Sequence, residues 1–203
     1  NMVWKKAAAG LAFGIIGMMG FYQYRQEHLA EALSEKIIRF HVLANSDSEA
    51  DQELKLKVRD SVGAYLKTEL QDADGVGESR AIIRRDLDKI EETAEAVIAA
   101  EGYSYGVTAT LGQTDFPVKT YGAYTFPAGE YEALNVTIGD GGGKNWWCVV
   151  YPNMCYQGSV YEVGDEEAEE SLRQVLSEDE YEAVMESGEY EVEFKLLSFL
   201  NEL

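Results

Sequence analysis

The sequence predicts an α+β fold, a single domain with a mixed or mostly antiparallel sheet packed with amphipathic helices and preceded by an N-terminal membrane or signal helix. Three patterns carry this. Short segments such as Ile38–Val42 and Tyr103–Leu111 alternate apolar and polar residues with a period of two, as half-buried strands do. Two long segments, from Leu54 to Leu70 and from Ile82 to Ile98, repeat apolar residues at helical spacing. The start joins Lys5 and Lys6 to an apolar run from Ala7 to Tyr22.

In chain order, residues 1–24 read as a signal or anchor segment. The run is intermediate between a signal-peptide core and a spanning helix. Ala30-Glu31-Ala32 offers a small-x-small cleavage site, though far from the run, so cleavage stays open. Residues 25–36 are polar and helix-prone, a juxtamembrane linker, and residues 37–203 form the extracytoplasmic domain. Its first strand, 37–43, puts Ile38, Phe40 and Val42 on one face and Arg39 and His41 on the other. Asn45-Ser46-Asp47-Ser48 stops that strand, and Ser46 with Glu49 fits a capping box for the helix that follows. Residues 71–78 form a loop, Ser79 starts one helix running to Ile98, and Gly102 ends it. Strands are expected at 103–111, 118–121 and 131–138. Acidic helices are expected at 166–176 and 178–186, Ser177 and Glu180 capping the second, with a last strand at 190–196.

The stretch from Gly141 to Cys155 holds two of the three tryptophans and both cysteines. Glycines 141–143 form a loop, and Trp146 to Tyr151 reads as a strand rich in aromatic and β-branched residues. Pro152-Asn153 then signals a turn. This places Cys148 and Cys155 opposite each other on adjacent strands, within reach of a local disulfide; two buried free thiols are the alternative. Trp146 and Trp147, being consecutive in a strand, point to opposite faces. One belongs to a core, and the other lies under a helix, a loop or a partner. Together with Lys144 and Asn145 they are the candidate partner contact.

Acidic residues number 37 against 17 basic ones, a net charge of −20. That disfavours nucleic acid and anionic lipid surfaces as partners of the folded part. Much of the excess lies between Glu162 and Glu193, as a solvated helical surface or a dock for a basic partner. Catalytic patterns are thin. Cys148 with His41 and Asn45 has the residue types of a thiol hydrolase, but no nucleophile motif surrounds Cys148. The two histidines and two cysteines lack zinc-site spacing. Asn45, Asp47, Glu49 and Asp51 begin like a calcium loop, yet Ala50 and Leu56 stand where it needs Gly and Glu. Gly139 to Asn145 is one residue short of a phosphate loop and ends in Asn. No cofactor and no small-molecule substrate is expected.

Three blocks in order resemble the stage II sporulation protein R family of endospore-forming bacteria. They are Ile38 to Asp60, Tyr121-Gly122-Ala123-Tyr124 through Tyr131, and Gly142 to Cys155. The resemblance spans most of residues 37–156. It implies a signalling protein that is made in the forespore and exported across its membrane. In the space between forespore and mother cell, such a protein triggers a membrane-embedded aspartyl protease of the mother cell. That protease then processes the precursor of the early mother-cell sigma factor. The family has no catalytic residues to carry over. An exported cell-wall hydrolase using Cys148 and His41 is the alternative.

Overall fold

A computed structural model describes residues 2–155 and 166–185, with side chains from Gly14 onward except those of 15, 166 and 167. The elements are α1 (Met2–Ser34), β1 (Ile38–Leu43), α2 (Glu49–Leu70), α3 (Val76–Arg85), α4 (Leu87–Ala100), β2 (Val107–Phe116), β3 (Lys119–Tyr121), β4 (Tyr124–Phe126), β5 (Gly129–Ile138), β6 (Asn145–Tyr151) and α5 (Glu166–Val175). A further helical segment covers 178–185. The fold is mixed α+β, in one domain.

The main sheet has the order β2-β5-β1-β6. β1 runs parallel to β5 and antiparallel to β6, and β2 is antiparallel to β5. The sheet is therefore mixed, within the expectation. The parallel pair follows from the long α2–α4 crossover between β1 and the later strands.

Each face of the sheet carries a core. On one, Phe40, Val42, Leu134, Val136, Cys148 and Val150 pack against Leu54, Val58, Val62 and Leu66 of α2, Ile83 of α3, and Ile90, Ala94 and Ile98 of α4. Burying each large aliphatic side chain contributes about 1.5–3 kcal/mol before entropic costs. On the other face, Ala30 and Leu33 of α1 and Ile37 just after it meet Phe116, Tyr121, Phe126, Tyr131, Val149 and Leu172. The end of the predicted linker is thus part of a core. Leu33 is fully buried, and the backbone at Gly129 leaves no room for a side chain against Ala30.

Several expected boundaries move. The α2 N-cap is Ser48, whose side chain accepts from the Asp51 amide, so the capping pair is Ser48/Asp51 and not Ser46/Glu49. The single helix from Ser79 is two helices. α3 starts at Val76, and the chain turns at Asp86 (φ −104°, ψ 14°), a buried carboxylate held by Arg85 and Lys89. β2 starts at Val107, not at Tyr103. Tyr103 and Tyr105 instead stack on each other beside the core, 5.4 Å apart. β4 was not anticipated. It forms a hairpin with β3 around Gly122, whose φ of +59° suits a two-residue turn. The Ser177/Glu180 cap is present and reciprocal: Ser177 N donates to Glu180 and Glu180 N to Ser177 Oγ. The strand expected at 190–196 lies outside the described residues. Among the described residues, no helix is long and apolar enough to cross a membrane.

Candidate functional site

β6 fixes the geometry of the candidate residues. Its register against β1 sets Asn145 opposite Leu43, Trp146 opposite Val42, Trp147 opposite His41 and Cys148 opposite Phe40. Alternation then divides them between the two faces. Trp146 and Cys148 face the helices. The Trp146 ring meets Phe40 edge-on at 5.5 Å, and the Arg59 guanidinium of α2 lies 5.1 Å from its centroid. Trp147 faces the other way and stacks on His41, with centroids 3.9 Å apart and planes 8° from parallel. Phe116 meets it edge-on at 4.6 Å. Both tryptophans are half-buried, whereas Lys144 and Asn145 are exposed.

His41 is held at both ring nitrogens. Nδ1 lies 3.1 Å from Asn135 Oδ1, and Nε2 lies 2.6 Å from Asn145 Oδ1. Asn135 donates its amide to Thr114 Oγ1 and to the Ala133 carbonyl, which turns its oxygen towards the ring and makes Nδ1 the donor. Burial pushes His41 below its ordinary value; the two asparagines oppose this, and the charge of Lys55 adds to it. The neutral imidazole is therefore favoured at neutral pH; with Nδ1 donating, its Nε2 accepts, and this requires the Asn145 side chain to turn its NH2 rather than its Oδ1 to the ring. Thr114 lies opposite Tyr131 and Phe116 opposite Gly129, yet they reach Asn135 and His41. The β2–β5 ribbon therefore coils over this face and makes the His41–Trp147 stack a wall of it.

Cys148 and Cys155 form a disulfide with Cα atoms 5.9 Å apart. The hairpin reading is corrected. After the Pro152-Asn153 turn no strand forms before Cys155, which is reached within the turn region. Cys148 is fully buried in the helix-side core, while His41 lies on the opposite face. The nucleophile and base required by the hydrolase alternative are therefore neither adjacent nor on one side of the sheet, and the sulfur is oxidised.

Glycines 139–143 are bound to the chain itself. Gly142 N donates to Asn45 O, Gly143 N to Ala44 O, and Asp140 N to Asn45 Oδ1. At Gly143 an added Cβ would collide with the Ser46 carbonyl. Gly139 N and Gly141 N donate to the Gly106 and Ile138 carbonyls, so all five N–H groups of residues 139–143 are committed within the chain, three of them to the residues that follow β1, and none is left to cradle a phosphate. The acidic run after β1 serves the helix start: Ser46 Oγ and Asn45 Nδ2 both donate to Asp51, and these bonds, Ser46 first, hold its carboxyl below the usual range. Among the described residues, no group of three or more His, Cys, Asp or Glu could hold a metal ion.

Two features escaped sequence reasoning. Arg39, read as a face residue, is fully buried. Its guanidinium lies 4.3 Å from the Phe116 ring, 5.0 Å from Tyr131, 5.3 Å from Phe126 and 5.9 Å from Tyr121. Nε donates to the Cys148 carbonyl and Nη2 to Tyr121 Oη, while Nη1 has no hydrogen-bond partner among the described residues. The other feature is the approach of Lys55 and Arg59 of α2 to Lys144 and Trp146. A cation at alternate-strand spacing among aromatic-rich segments was the available signal for the first; the second depends on tertiary packing.

The family model for stage II sporulation protein R matches residues 34–161, from the end of α1 through β6. The chain belongs to this family. Stage II sporulation protein R of Bacillus subtilis (strain 168) is 36% identical over 160 residues, covering 76% of this chain and 71% of the relative. A role in sporulation follows, and the family is named for that role and not for an enzymatic activity. The matched region contains both faces of β6, the glycine loop bound to β1, the disulfide and the Arg39 cage. No solved structure matches the fold.

Proposed function

We propose that the chain is an exported sporulation signal that activates a membrane-embedded aspartyl protease of the mother cell, leading to processing of the early mother-cell sigma-factor precursor. Residues 1–24 act as signal or anchor and give the contact with the membrane. Residues 25–36 join them to the extracytoplasmic domain of 37–203, which lies between the forespore and mother-cell membranes. Exposed Ile16, Met18, Met19 and Phe21 around α1 support an apolar environment for that segment. The domain acts by binding its receptor through the start of β6, Lys144, Asn145, Trp146 and Trp147. It uses no cofactor, small-molecule substrate or nucleic acid.

The observation that carries the choice of binding over hydrolysis is the separation of disulfide-bonded Cys148 from His41 on two faces of the sheet. The test is reconstitution in a non-sporulating host that makes the protease and the sigma-factor precursor, with and without this chain. Cleavage is expected only when the chain is present, and His41→Gln should retain it. Loss of a catalytic base would instead cost about 10²–10⁴-fold. Precursor cleavage that is indifferent to the chain would refute the proposal.

A further inference from the structure

Cations in this strongly acidic chain are mostly matched to carboxylates. Lys36 pairs with Glu180, Lys57 with Glu101, Arg80 and Arg84 with Glu132, Arg85 with Asp86, and Arg173 with Glu178. At the junction of α2 with the start of β6, Lys55 and Lys144 depart from this, as Lys67 and Lys119 do elsewhere among the described residues. Lys55 is only 5% exposed, and its ammonium donates to Gln52 Oε1 at 2.7 Å and to the Lys144 carbonyl at 3.0 Å. Neither Lys55 nor Lys144 has an ion-pair partner among the described residues. Arg59 lies over Trp146 and is ion-paired with the exposed carboxylate of its neighbour Asp60. Leu56, 39% exposed, precedes Arg59 by three residues on α2 and so lies on the same side of that helix. The cations crowd one another: burial and then the charge of Arg59 hold the Lys55 amine below its ordinary value, Lys144 adds to this, and Asp47 offsets only part of it.

We propose that this rim, with Lys55, Arg59 and Lys144 around Trp146 and Leu56 beside it, docks a carboxylate-bearing segment of the protein partner. The idea rests on the activator reading and gives its receptor contact a chemistry. A half-buried indole and an aliphatic side chain beside the charges suit a peptide better than a small anion, because aromatic and Arg anchors dominate protein interfaces. The net charge of −20 argues against an extended polyanion or an anionic bilayer, which the rest of the surface repels. A compact carboxylate contact escapes most of that repulsion, since exposed charges beyond about 8–10 Å are screened.

The direct test titrates the purified full-length protein, following tryptophan emission, with a soluble peptide alternating Val and Glu. A Val–Gln counterpart and phosphatidylglycerol vesicles serve as the other arms. Of the two peptides only the Glu peptide should give a saturable response; vesicles are met by the N-terminal segment, which carries Trp4, and their signal should be the same in the wild type and in Lys144→Glu. The Glu-peptide response should weaken at least about tenfold in Lys144→Glu, about 1.4 kcal/mol. Lys67→Glu makes the same charge change at an exposed site farther along α2 and should leave the response unchanged. Lys144 contributes only its backbone carbonyl to the bonds above, so its reversal should fold. No response to the Glu peptide, equal response to the Gln peptide, or a vesicle response that is lost in Lys144→Glu overturns the proposal. Precursor processing in a gene-deletion strain separates the two readings. Saturable, Lys144-dependent peptide binding with processing unaffected by deletion sustains the rim and refutes the activator role. Processing abolished by deletion, with no peptide binding, does the reverse.

Discussion

Replacing Arg39 by methionine is expected to leave stability within about 1.5 kcal/mol of the wild type, although the side chain is fully buried. The reasoning is a near-cancellation. A desolvated cation over aromatic faces gains about 2 kcal/mol, and the two bonds to the Cys148 carbonyl and Tyr121 Oη add roughly 1.5–3 kcal/mol each. Against this stand several kcal/mol for taking an ion out of water and about 1–3 kcal/mol for the unbonded Nη1. No carboxylate bonds the guanidinium among the described residues; burial lowers its pKa, partly offset by Tyr121 and Tyr131. Methionine fills much of the same volume without the charge. Arg39→Ala leaves a cavity between four rings and should cost about 3–5 kcal/mol. Urea unfolding followed by tryptophan emission reads the difference. With a slope of about 2 kcal/mol/M, alanine lowers the midpoint by roughly 1.5–2.5 M, and methionine by less than about 1 M. A methionine variant as unstable as the alanine variant would refute this balance and make the cation itself indispensable.

Reducing the Cys148–Cys155 bond, which closes a loop with a sequence separation of 7, should cost only roughly 2–3 kcal/mol in the chain-entropy description, so the domain should stay folded in a reductant and unfold at a lower urea midpoint. His41 should impose a pH dependence. Its folded value is depressed from 6.5, so the unfolded chain binds the proton more readily; this contribution is complete above about pH 6.5 and is lost as pH falls towards the depressed folded value. Unfolding at pH 7.5 and 5.5 should therefore show a smaller acid loss in His41→Gln than in the wild type, and an equal or larger loss would contradict the sign.

The strands nearest the candidate site were legible because their patterns are local. Alternation around Phe40 and the aromatic, β-branched composition around Trp146 placed β1 and β6 within a residue or two. Consecutive tryptophans could only diverge, and they do. Other features needed tertiary information. The break at Asp86 sits inside a continuous apolar stripe, so periodicity gave no hint that a buried carboxylate would turn the chain. β4 is three residues long, too short for a period to register. Ser46 and Ser48 are both chemically competent caps, and the glycine loop packed on Ala44 and Asn45 distinguishes them only in three dimensions. The Lys55–Arg59–Lys144 grouping joins residues far apart in the chain, which composition reports only as part of a negative total.

The central claim is that the domain signals from outside the forespore cytoplasm and is not an enzyme of the cell wall. Sigma-factor precursor processing in sporulating cells tests it most directly. The gene would be deleted and complemented either by the full-length chain or by a full-length variant with Ile15→Arg and Ile16→Arg in the apolar run. Each central arginine opposes membrane insertion by about 2.5–3.5 kcal/mol. The account predicts that the wild-type chain restores processing, and that the arginine variant, present at equal level inside the forespore, does not. Restored processing by a variant retained in the cytoplasm would contradict it.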